Sequence, residues 1–121
     1  MKILIADDSD LLRLSIRKLL QPIEDIQQVY EAETPQAAIA MIAGYYPDVV
    51  ILDLRFASGT GFDVMDYLIE HDLDMLVIVL TNFATSHNKQ KSYDMGAHFF
   101  FDKSHEYEKL EQVIRDFHPR S

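Results

Sequence analysis

With 121 residues, 48% hydrophobic and 26% charged, the chain has the size and composition of one soluble globular domain around one core. It has no cysteine, which excludes disulfides and thiolate metal sites, and its apolar runs fall short of the roughly 18–20 residues that span a bilayer. A net charge of -9 and a pI near 4.8 argue against direct nucleic-acid binding and favour divalent cations and basic protein surfaces.

The start, "MKILIADDSD", meets acids too early for a signal peptide, so the chain reads as cytoplasmic, with no membrane contact. "KILIA" predicts a strand, and 9–21 a helix with Leu11, Leu12, Ile16, Leu19 and Leu20 on one side, stopped by Pro22. "IQQVYEA" alternates weakly and predicts a strand nearer the sheet edge. In "TPQAAIAMIAG", Thr34 is the expected N-cap, Pro35 the first helical residue and Gly44 the terminator. "DVVILDL" is a continuous apolar strand ending in Asp53, and "RFASGTG" a glycine-bearing loop before a helix near 61–71. "MLVIVLTN" is a strand ending in Thr81, followed by a polar helix near 85–95 that closes on Gly96. "AHFFF" runs to Asp102 and Lys103, and a last helix near 105–117 carries Leu110, Val113, Ile114 and Phe117 at helical spacing. Five such strand–helix units predict an α/β fold, with a parallel sheet covered on both faces. Its ligand site is expected beyond the carboxyl ends of the strands.

At those ends stand Asp7 and Asp8, Asp53, Thr81 and Lys103. Each alone has an ordinary reading as a cap, a loop start or a solvated turn residue. Together, four strands deliver acid, acid, hydroxyl and ammonium to one edge. Two carboxylates about 4 Å apart repel by roughly 4 kcal/mol at an effective dielectric near 20. A hard cation such as Mg²⁺ offsets that repulsion and keeps open positions for phosphate oxygens. With Lys103 it balances the three carboxylate charges. Asp53 is then a candidate nucleophile for an acyl phosphate, with Thr81 and Lys103 holding the phosphoryl oxygens.

The pieces "LIADDSD", "PDVVILDLRFASGTGFDV", "VIVLTN" and "GAHFFFDKS", in that order, resemble the receiver domain of two-component response regulators (CheY-like) over essentially the whole chain, 1–121. The resemblance implies a doubly wound, flavodoxin-like five-stranded parallel sheet of order 2-1-3-4-5 with five helices. It implies that Asp53 takes phosphate from a histidine kinase or histidine phosphotransfer protein. It assigns Mg²⁺ to Asp7, Asp8, Asp53 and the backbone carbonyl of Arg55, and the phosphoryl group to Thr81 and Lys103. Phe100 matches the switch aromatic, turning into space left by Thr81 and reshaping the face of the fourth helix, fifth strand and fifth helix for a downstream protein target; the plain alternative is a place in a static core. Arg55 and Phe83 occupy positions that flank the phosphoryl group and tune hydrolysis; for Phe83 simple packing is an equal alternative. The family usually follows this lysine with proline. Ser104 stands here instead, so a trans bond is expected, with Ser104 available to cap the last helix.

Phe99 and Phe101 are expected in the core. The histidines His71, His87, His98, His105 and His118 show no metal spacing and read as structural or surface residues. Asp63, Asp66, Glu70, Asp72 and Asp74 read as a solvated face. A haloacid-dehalogenase-like phosphatase would need a carboxylate where "DLR" supplies Arg55, and a flavin carrier's phosphate would be repelled by "DDSD". No enzymatic turnover is expected beyond the chain's own phosphorylation and slow dephosphorylation. The alternative is a degenerate receiver that binds partners without phosphorylation. The closing "HPRS" suggests a stand-alone receiver, the other reading being a portion of a longer protein.

Overall fold

Side chains on successive strand residues point to opposite faces, so uniformly apolar runs such as "VVIL" require cover on both sides. The computed structural model, which describes residues 1–119, supplies it. In chain order its elements are β1 (Lys2–Ala6), α1 (Asp10–Leu20), β2 (Gln28–Ala32), α2 (Pro35–Tyr45), β3 (Val49–Leu52), β4 (Arg55–Phe56), β5 (Gly59–Thr60), α3 (Gly61–Glu70), β6 (Leu76–Thr81), α4 (Ser86–Asp94), β7 (Phe99–Asp102) and α5 (Lys109–Asp116). Five strands form one parallel sheet in the order β2-β1-β3-β6-β7, the expected 2-1-3-4-5 once the short β4–β5 hairpin is set aside.

Leu4, Ala6, Val50, Leu52 and Val79 pack with Ala38, Ile42, Val64, Met65 and Leu68 of α2 and α3 on one face. Ile3, Ile5, Ile51, Ile78 and Leu80 pack with Ile16 and Leu20 of α1 and Leu110 and Ile114 of α5 on the other. Register then fixes the site. Ala6 pairs with Leu52 and Leu52 with Val79, so β1 and β3 end level and the residues after them emerge side by side.

Several local expectations give way. Leu11 is 77% exposed, because it sits five residues, about 140° around the helix, from Ile16. Arg13, three before Ile16 and seven before Leu20, takes the inward place. Gly44 lies inside α2; the helix continues until Tyr46 adopts the left-handed conformation (φ 50°) and donates its N–H to Ile42. Tyr45, stacked on Tyr30 at 4.4 Å, holds that extra turn. "RFASGTG" folds as the antiparallel hairpin rather than as plain loop.

The last helix starts at Lys109. Before it, the Asp102 carboxylate accepts the Ser104 N–H and the Glu106 carboxylate accepts the Asp102 N–H, local bonds that compete with helix formation. Ser104 caps nothing: its hydroxyl donates to Asn82 Oδ1 at 3.1 Å. The Lys103–Ser104 peptide is trans, as expected. Phe101 is core, whereas Phe99, at the start of the edge strand β7, is 37% exposed and belongs to neither cluster. The five acids from Asp63 to Asp74 are all exposed, as a solvated face requires.

Candidate functional site

The ladder hydrogen bonds extend one residue past the strands. Asp7 donates its N–H to Ala32, Asp53 to Ala6 and Lys103 to Thr81, at 2.9–3.0 Å. The side chains that follow are therefore set on rigid backbone. Lys103 Nζ donates to Asp7 Oδ2 at 2.8 Å and to Asp53 Oδ2 at 3.0 Å. The other oxygens are also held: Asp7 Oδ1 accepts the Ser9 N–H (2.8 Å) and Asp53 Oδ1 the Leu54 N–H (2.7 Å). Asp7 and Asp53 are buried, whereas Asp8 is exposed.

Asp7, Asp8 and Asp53 each offer a carboxylate oxygen within 4.8 Å of the others, the one such group among the described residues. All-oxygen donors of formal charge -3 suit a hard divalent cation. Burial pushes the Asp7 carboxyl up, against the hydrogen bond from Lys103. For Lys103, burial works against the charge, but the bond to Asp7 and the field of Asp53 outweigh it and raise its pKa.

Thr81 is fully buried, and its Oγ1 accepts the Phe83 N–H at 3.1 Å. The Arg55 guanidinium lies 4.0 Å over the Phe83 ring, so these two side chains pack as one unit. Phe100 is only 5% exposed and packs in the cluster that contains Leu54, Phe56 and Val64.

The family model of the response regulator receiver domain matches residues 3–115. The chain belongs to that family. The receiver is 28% identical over 114 residues to response regulator GacA of Pseudomonas aeruginosa, an alignment covering 94% of the chain and 53% of the relative. It is 25% identical over 115 residues to chemotaxis protein CheY of Halobacterium salinarum, covering 95% and 94%. Among solved structures, the isolated REC domain of RcsB from Salmonella enterica, determined with phosphomimetic BeF3-, superposes with a TM-score of 0.85 at 26% identity, covering 94% and 85%. The chain spans about half the length of several curated relatives it matches, including GacA. No helix among the described residues is long and apolar enough to cross a membrane.

Two features of this receiver were not read from the sequence. Arg13 is buried at the start of α1, and its guanidinium donates to the Asp7 carbonyl (2.6 Å), to Glu31 (2.9 Å) and to Asp10. Glu31 also receives Arg17. Burial works against the Glu31 charge, but the bonds from Arg17 and Arg13 outweigh it and hold its pKa below the ordinary carboxylate value. The available signal was a cation in the first turn of a helix, where the dipole disfavours one. The second is the partner of His98: its Nδ1 accepts the Val77 N–H at 3.1 Å across the start of β6 and β7, where the sequence pointed only to a structural or surface role.

Proposed function

We propose that this receiver takes a phosphoryl group from a phosphohistidine of a histidine kinase or phosphotransfer protein onto Asp53. One observation carries the reading: a lysine ammonium bridges Asp7 and Asp53, and Asp8 stands within reach of both carboxylates. In the transfer a carboxylate oxygen of Asp53 attacks phosphorus in line, and the P–N bond of the donor breaks with its electrons leaving on the imidazole. Asp7, Asp8, Asp53 and the Arg55 carbonyl would hold Mg²⁺, which would supply charge neutralisation to the phosphoryl oxygens. Lys103 releases part of its hold on Asp53 to meet one phosphoryl oxygen, and Thr81 exchanges its contact with the Phe83 N–H for another. Arg55 and Phe83 restrict the approach of water, which sets a slow self-dephosphorylation. The receiver catalyses no other turnover.

Phe100 lies inside already, and lacking a hydroxyl it desolvates no polar group there. The ring therefore supports an inward state that Thr81 movement stabilises, biasing the face of α4, β7 and α5 toward a downstream protein target in the cytoplasm. Exposed Tyr93 and Phe99 give α4 and β7 apolar contact area.

The test is incubation with Mg²⁺ and acetyl phosphate, followed by intact mass, beside Asp53→Asn. A Mg²⁺-dependent gain of one phosphoryl group, absent in the variant, supports the reading. No gain from acetyl phosphate or from a phosphohistidine donor, under conditions that label another receiver, replaces it with phosphorylation-independent binding.

A further inference from the structure

We infer that Arg13 is a positioning residue for the divalent cation: it locks the peptide between Asp7 and Asp8, and so presents the exposed Asp8 carboxylate to the metal. The inference rests on the metal-dependent phosphoacceptor reading above.

Arg13 is an expensive residue where it stands. It is 9% exposed, and it lies in the first turn of α1, at the positive end of the helix dipole. Arginine forms helix readily, but neither propensity nor core packing accounts for burying its guanidinium there. Its bonds do. Nη1 reaches the Asp7 carbonyl at 2.6 Å, in a fully buried contact. Nε is held by Glu31 on β2 at 2.9 Å, and Nη2 by Asp10. Glu31 is fixed in turn by Arg17, one turn further along α1. The guanidinium is thus braced against helix and sheet together, and its planar fork leaves it little freedom to swing.

Every polar atom of Asp7 is consequently occupied. Its N–H goes to Ala32, its carbonyl accepts Arg13, Oδ1 accepts Ser9 and Oδ2 accepts Lys103. The Asp7 carbonyl belongs to the same planar peptide as the Asp8 nitrogen. Fixing that plane fixes where the Asp8 side chain starts, with no contact from Arg13 to Asp8 required. Outer partners of metal ligands commonly change metal affinity by about 10- to 100-fold when removed.

The sign of the effect separates positioning from plain electrostatics. Deleting a positive charge beside a cation site strengthens cation binding on Coulomb grounds alone. Loss of positioning weakens it. Mg²⁺ affinity is measured by isothermal titration calorimetry on wild type, Arg13→Met, Arg13→Lys and Arg17→Met, each checked for a cooperative melt in EDTA. Arg13→Met should raise the Mg²⁺ Kd by about tenfold or more. Arg13→Lys keeps the charge but not the fork, so it should also weaken binding, and it serves as the second variant if the methionine protein does not fold. Arg17→Met removes a charge from the same cluster while leaving Arg13 its bonds to Asp7, Asp10 and Glu31, and should change the Kd far less than either Arg13 variant. Unchanged or tighter binding in the Arg13 variants overturns the inference, as does equal weakening in Arg17→Met. Wild type that takes up no Mg²⁺ overturns the metal-dependent reading itself, and this inference with it.

Discussion

Replacing Gly61 with alanine should damage the phosphoacceptor from the far side of its own peptide. Gly61 opens α3 and donates its N–H to the Leu54 carbonyl at 2.9 Å, which pulls the helix start against the backbone of the site. A Cβ added there would lie 2.2 Å from the Asp53 carbonyl oxygen and 3.1 Å from Leu52 Cγ. Real Cβ contacts essentially never fall below 3.0 Å, so the helix and the Asp53 peptide must separate by roughly 0.8 Å. Both obstacles are backbone or core, and neither can rotate away. Overpacking of this kind costs about 1–3 kcal/mol, against a gain of roughly 0.4–1 kcal/mol from restricting the unfolded chain. The net expectation is a loss of about 1–2 kcal/mol in urea unfolding. A displacement near 1 Å at a reacting group slows chemistry by about 10²-fold, so acetyl phosphate labelling at saturating Mg²⁺ should slow by roughly 10- to 100-fold. Gly44→Ala is the matched control. It lies inside α2 with nothing within 4 Å of the new Cβ, and should stabilise by about 0.5–1 kcal/mol with labelling unchanged. Wild-type labelling in Gly61→Ala would refute the coupling to Asp53, whatever happened to stability.

Three further outcomes follow from particular contacts. The Glu31 pKa is held below its ordinary value of 4.5, so its stabilising contribution is present above that value and is lost as pH falls through the lowered folded value. Glu31→Gln should therefore be less stable than wild type at neutral pH, with the difference in urea midpoint closing in acid; a constant difference would contradict the sign. Phe83→Ala removes the ring under Arg55, and the Asp53 phosphoryl group should hydrolyse faster than in wild type, followed by loss of the phosphorylated mass. Leu11→Ser should change stability by less than about 0.5 kcal/mol, whereas Ile16→Ala on the buried side should cost about 2–5 kcal/mol.

The parallel sheet was legible because its signals are redundant. Four apolar runs each end in a polar residue, and no other arrangement brings Asp7, Asp53, Thr81 and Lys103 to one edge. Helix limits were less legible where side chains compete with backbone. The Asp102 and Glu106 carboxylates delay α5, and Tyr46 tolerates a left-handed cap that composition assigns to Gly44. Leu11 misleads because its hydrophobicity carries no sign of the angle it makes with Ile16 and Leu20 around the helix. Arg13 was silent for a related reason. Its partners Asp7 and Glu31 lie on different strands, so only the fold brings all three together.

The α4 helix carries the last consequence. Ser92 is its one buried residue, so the helix is seated on the core by little of its own surface. What holds α4 is peripheral: the Thr85 cap, Asn88 reaching the Phe83 carbonyl, and the Lys91 ammonium 4.1 Å above the Phe62 ring. An element so lightly anchored does not need to be pushed. On the proposed phosphoacceptor reading, about 1.4 kcal/mol of preference at the Thr81 loop changes its occupancy tenfold, a shift of odds rather than a forced movement.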